Sequence, residues 1–159
     1  MTGIWVQLVT LSLLGSACGQ SLKQTTQWMR TFASAHSHWH VEGAQFGDST
    51  ELKFSGCGVK QILYQDGKPL NGSLDASTTT YSLADLDPKS VKLYANSASV
   101  GFETTNSEDK ISISGEASCK YAVCVSGWVI NFDEEANAVR FAKAMRHAIT
   151  LCGGRASPF

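Results

Sequence analysis

Four kinds of hydrophobic patterning succeed one another along this chain. An uninterrupted apolar run, Ile4 to Leu14, comes first and meets the small residues Gly15, Ser16 and Ala17. A helical period follows. Ser21, Leu22, Lys23 and Gln24 make a capping-box sequence, in which the serine side chain takes a backbone N–H and the glutamine reaches back. Leu22, Thr25, Trp28, Met29, Phe32 and Ala35 then recur near i, i+3, i+4 and i+7, predicting a helix over 21–35 whose Trp, Met and Phe face a core. From about Glu51 the period falls to two. Leu52, Phe54, Val59, Ile62 and Tyr64 lie in strand-like runs broken by Gly56 and Gly58, a pattern expected of a bulge or bend.

Asp66-Gly67 and Asn71-Gly72 mark a loop, and Thr78 to Leu83 is a β-branched and aromatic strand that ends at Asp85-Leu86-Asp87-Pro88. Val91 to Tyr94, Val100 to Thr105 and Lys110 to Ser114 are further short strands, the last two expected to form a hairpin through Asn106 to Asp109. Tyr121 to Phe132 is the longest apolar run after the leader and reads as one or two strands around Gly127. The fourth pattern is a long amphipathic helix over 133–152. Asp133 is its expected cap, and Glu134 and Glu135 fill the first turn. Arg140, Lys143, Arg146 and His147 complement the dipole, and Gly153 stops it. Ala138, Phe141, Ala142, Met145, Ala148, Ile149 and Cys152 form its apolar face. The order predicts an α+β domain over 20–159: an N-terminal helix, an antiparallel β-roll of six to seven strands over 51–132, and a long closing helix.

Composition narrows the classes without naming a chemistry. The chain has 159 residues, 13 Lys+Arg against 14 Asp+Glu, a net charge of −1 and only 17% charged residues. Such a balance carries no basic footprint for nucleic acid, and the partners left are a protein or a small molecule. The leader is too short to span a bilayer comfortably, which takes about 20 residues. It reads as a signal peptide over 1–19, although Met-Thr-Gly offers no basic side chain ahead of it. Export to the periplasm or medium is the expectation, the alternative being a buried N-terminal helix. Cleavage after Gly19 discards Cys18; cleavage after Ala17 exposes it in Gly-Ser-Ala-Cys, which resembles a bacterial lipobox, and lipidated Cys18 is then the one route to a membrane.

Without Cys18, four cysteines remain, an even number suited to an oxidising compartment. Cys119 and Cys124 are spaced for a small closed loop, leaving Cys57 to join Cys152. The competing reading keeps Cys57 and Cys152 as buried thiols, a common state for that residue. No C-x-x-C pair signals redox or zinc chemistry.

His36, His38 and His40 form the one unusual constellation. On an extended segment they would share a face, where three imidazoles could bind Zn or Cu; the plainer reading is a solvated linker, and no cofactor is otherwise implied. Catalytic sets are absent: no G-x-S-x-G, H-E-x-x-H, P-loop or G-x-G-x-x-G occurs. A hydrolase using Cys57 as nucleophile and His147 as base has no supporting spacing. Asp85 and Asp87 are accounted for by an Asp-Pro turn, Asp133 to Glu135 by a helix start, and Trp128 by core packing. Asn71-Gly-Ser73 is a glycosylation sequon, meaningful only in a eukaryotic secretory route. The expected function is therefore that of a non-enzymatic binding or envelope-associated module.

Phe54-Ser-Gly-Cys57 on a strand and Leu151-Cys-Gly-Gly154 ending the last helix resemble the pattern of small exported bacterial proteins with no known function. The succession of short strands running into one closing helix, over 50–153, is also similar to the pleckstrin-homology-like roll. The resemblance implies an exported location and that architecture. Phosphoinositide binding does not carry over, because the first two strands offer only Lys53, Lys60 and Lys68 as cations.

Overall fold

A computed structural model describes residues 20–37, 49–65, 68–69, 78–94, 97–113, 119 and 123–158. Helix α1 (Leu22–His36) begins as expected. Gln24 N–H donates to the Ser21 hydroxyl at 3.3 Å, and the Ser21 N–H donates to the Gln24 side chain at 2.9 Å. Its buried face is Thr25, Thr26, Met29, Phe32 and Ala33. That face is rotated from the expected stripe, so Trp28 lies at the rim, 36% exposed, stacked on Phe32.

Among the described residues nine strands follow: β1 (Ser49–Ser55), β2 (Gly58–Gln65), β3 (Lys68–Pro69), β4 (Thr78–Ser82), β5 (Lys92–Leu93), β6 (Ser99–Glu103), β7 (Ile111–Ser112), β8 (Cys124–Val125) and β9 (Gly127–Asn131). The domain is α+β, with antiparallel sheets and a long C-terminal helix, α2 (Glu135–Leu151). The strands form two sheets, one of six strands ordered β1-β2-β4-β7-β8 with β3 on β2, and one of three ordered β5-β6-β9. Gly56 and Gly58 make a tight hairpin in place of the expected bulge. Ser55 pairs with Gly58 across a two-residue turn whose first residue, Gly56, has φ 58°, the left-handed value such a turn assigns to glycine.

The hairpin expected at Asn106 to Asp109 does not form. β6 belongs to the small sheet and β7 to the large one, and Asn106 and Ser107, at φ 59° and 54°, turn the chain between them. Thr104 holds that corner: its hydroxyl donates to the Glu108 carbonyl, and its N–H donates to the Ser126 carbonyl at 2.8 Å. Ser126 is also where the chain crosses back, dividing the Tyr121–Phe132 run into β8 on the large sheet and β9 on the small one.

Asp133 is not the cap of α2; Glu134 occupies that position, and its side chain makes no capping bond. The Asp133 carboxylate is engaged elsewhere, accepting from Asn137 Nδ2 at 2.9 Å and meeting His36 Nδ1 at 3.1 Å, while its N–H donates to the His36 carbonyl. The start of α2 is thereby tied to the end of α1. At the other end Gly153 takes φ 81°. Its N–H donates to Thr150 and that of Gly154 to Ile149, the paired bonds of a Schellman motif.

The core lies among the two helices and the inner faces of both sheets. Met29, Leu52, Tyr81, Leu83, Val100, Phe102, Ile111 and Ile130 meet the predicted face of α2 there. Trp128 packs against this core half-buried, and its indole N–H is buried with no hydrogen-bond partner among the described residues. Burial of the Tyr81 phenol pushes its pKa far above the usual range. Helix α1 lies along the outer edge of β1. The Ser37 hydroxyl, just beyond the helix, receives the Thr50 N–H at 3.2 Å and so occupies one donor on the free edge of β1.

Candidate functional site

Both cysteine pairings expected from spacing are present. Cys119 bonds Cys124, and Cys57 bonds Cys152 across 95 residues with Cα atoms 5.8 Å apart, so neither Cys57 nor Cys152 is a free buried thiol. The second bridge fastens the β1–β2 turn to the end of α2. With its sulfur in that bond, Cys57 has no thiolate to act as a nucleophile. His147, its notional base, instead places Nε2 3.1 Å from the Gln20 carbonyl oxygen. Two disulfides fit an oxidising environment. Cys18, the Ile4–Leu14 run and the Asn71 sequon lie outside the described residues, as do His38 and His40. His36, the remaining member of the triplet, closes α1 with its Nδ1 turned to Asp133 and to Asn137 Nδ2, both at 3.1 Å. Among the described residues no helix is long and apolar enough to cross a membrane, and no three His, Cys, Asp or Glu side chains gather as a metal group.

A concavity lined by several charged side chains lies on the outer face of the large sheet. It is an open groove of about 530 Å³ between Lys53, Ser55, Lys60, Thr80 and Ser82, with Asp85, Lys110 and the disulfide residue Cys119 also lining it. Register explains the convergence. Lys53 stands opposite Lys60, Lys60 opposite Thr80, Thr80 opposite Ser112, and Ser112 opposite Cys124, one straight row across five strands. Alternation along β1, β2 and β4 sends Lys53, Lys60 and Thr80 outward while Leu52, Val59 and Tyr81 go to the core; Ser112, at the β7 end of the row, is buried.

The charges on this face are unevenly compensated. Lys53 Nζ sits 3.3 Å from Glu51, whose carboxylate also accepts the Tyr64 hydroxyl at 2.8 Å. The Tyr64 bond leads in holding the Glu51 carboxyl below its usual range, against a smaller opposing effect of burial. Lys110 bridges Asp85 at 3.4 Å and Glu108 at 2.6 Å. No carboxylate among the described residues pairs with Lys60. Lys68 is not part of the group: it pairs with Gln65, five positions along β2 from Lys60.

Of these residues, the sequence draws attention to Lys53 and Lys60 and to Cys119, and passes over Lys110 as a lining residue. The signal for it was indirect, since only the β4–β7 pairing brings the start of β7 beside β2 and β4. Compared with known proteins, the chain matches no protein-family model, and no curated protein or solved structure is significantly similar to it.

Proposed function

We propose that this protein is an exported, non-enzymatic binding module whose ligand sits on the outer face of the large sheet. The observation that carries the reading is the 530 Å³ concavity crossed by the Lys53–Lys60–Thr80–Ser112 row, a volume within the range of about 300–1,000 Å³ common for small-molecule sites. Polar side chains converge there on strands locked by register, which suits recognition with little ordering cost. Export is supported by the two disulfides and by the apolar leader. The resemblance to small exported proteins rests on Phe54–Cys57 and Leu151–Gly154, two motifs whose cysteines are joined in one bond.

Protein-observed NMR of the oxidised chain against a library of soluble metabolites and oligosaccharides tests the binding reading. Binders are expected to shift the amides of Lys53, Lys60, Ser82 and Ser112 together. Shifts confined to other surfaces, or conversion of a binder into product on incubation, overturn it. Mass spectrometry of the protein recovered from its producing cells tests export separately. Gln20 as the first residue is expected, a diacylglyceryl group on Cys18 gives the anchored form, and an intact Met1 refutes processing.

A further inference from the structure

Taking the outer face as the binding site, the electrostatics of that face point to the class of ligand. Lys53 and Lys60 are directly opposed on neighbouring strands. The two-residue turn closes the ladder at Ser55 and Gly58, which makes Lys53 and Lys60 a hydrogen-bonded pair with Cα atoms about 5.5 Å apart. Like charges set directly opposite each other oppose sheet formation. Glu51 answers one of them and nothing among the described residues answers Lys60, although Lys60 lines the cavity and is exposed. A local conflict of this kind, on a face with no packing to gain from it, is where a ligand is expected.

Donors surround the pair. The Ser82 hydroxyl accepts the Ala84 N–H at 3.2 Å, leaving its own proton to give, and the Ser55 hydroxyl lies on the same wall. Lys110 faces them across the cavity. Phe54 also lines a second cleft of about 280 Å³, which carries Lys23 and Arg30 of α1. The only carboxylate lining the cavity among the described residues is Asp85, which shares the Lys110 ammonium with Glu108.

We infer that this face takes a small soluble polyanion, a molecule with two neighbouring phosphate or carboxylate groups spanned by the Lys53 and Lys60 ammonium groups. Charge-assisted bonds from two lysines and two hydroxyls favour charged oxygens over a neutral sugar of the same size. The volume of about 530 Å³ matches a small molecule.

Isothermal titration calorimetry of the full, oxidised chain with pyrophosphate and with citrate tests this, with maltose as the uncharged probe. At least one anion is expected to bind at one site, more weakly as salt rises. Pyrophosphate alone identifies a phosphate ligand, citrate alone a carboxylate ligand, and both the shared chemistry. Lys60→Ala is expected to weaken the interaction about tenfold or more, Lys60→Glu to abolish it, and Lys60→Arg to retain it. Lys68→Ala, outside the cavity, leaves it unchanged. Amide NMR spectra of each variant establish that the fold is intact. The inference is overturned if neither anion binds, or if binding ignores Lys60→Ala and Lys60→Glu. Maltose shifting the outer-face amides while both anions fail refutes the ligand class and retains the binding face. Failure of the wider library at the same amides refutes the binding face itself.

Discussion

Asp87 shows how one side chain can decide the fate of a chain end. Burial pushes its pKa up, but the backbone N–H groups of Ser157 and Lys89, at 2.8 and 2.7 Å, outweigh that and bring the carboxyl below its usual range. A carboxyl so depressed contributes stability above its unfolded pKa of about 4, and that stability is lost as pH falls through the folded value. The wild-type unfolding midpoint should therefore fall steeply below about pH 4. Asp87→Asn should flatten that acid limb and cost about 1–3 kcal/mol near neutrality, read from urea unfolding across pH. Asp133 contributes in the same direction, its carboxyl lowered first by the Asn137 amide and then by His36, against a smaller opposing effect of burial. The Asp-Pro turn was legible in the sequence. Its use by Ser157, 70 residues away, was not, because no local pattern records a long-range acceptor.

At the scale of elements, both helices were legible, because capping boxes, apolar periodicity and a terminal glycine are local signals. The Gly153 stop can be tested directly. Its φ of 81° is strained for any residue with a Cβ, so Gly153→Ala should cost about 1 kcal/mol and lower the thermal midpoint, without altering the helix content. Strand existence was legible in outline, while pairing was less so. Asn106 to Asp109 has hairpin composition, and its left-handed residues do turn the chain, but into the other sheet. Turn chemistry specifies a change of direction; which neighbour is met depends on where Thr104 and Ser126 can bond. The candidate site shares this limit. Lys53 and Lys60 flank one hairpin and pair locally, whereas Lys110 and Cys119 reach the cavity only through sheet order.

Among the described residues, two sheets and two helices are tied together by contacts that include the α1–α2 bonds at His36, the chain crossings at Thr104 and Ser126, and the Cys57–Cys152 bridge. The bridge closes a loop of 95 residues, which in the chain-entropy account is worth on the order of 4 kcal/mol, about the whole margin of a modest domain. Cys57→Ser with Cys152→Ser should lower unfolding free energy by about 2–5 kcal/mol in denaturant titration. The equivalent change at Cys119 and Cys124, closing only five residues, should cost less.

The same bridge sets an order of assembly. A chain delivered to an oxidising compartment from its N-terminus presents Cys57 long before Cys152, 95 residues further on. Until that second thiol arrives, the β1–β2 turn carries an open sulfur, free to capture Cys119 or Cys124 or a neighbouring chain. The Cys57–Cys152 bond therefore cannot form before residue 152 is delivered, and any copy cut short ahead of it is left with a reactive thiol at the β1–β2 turn.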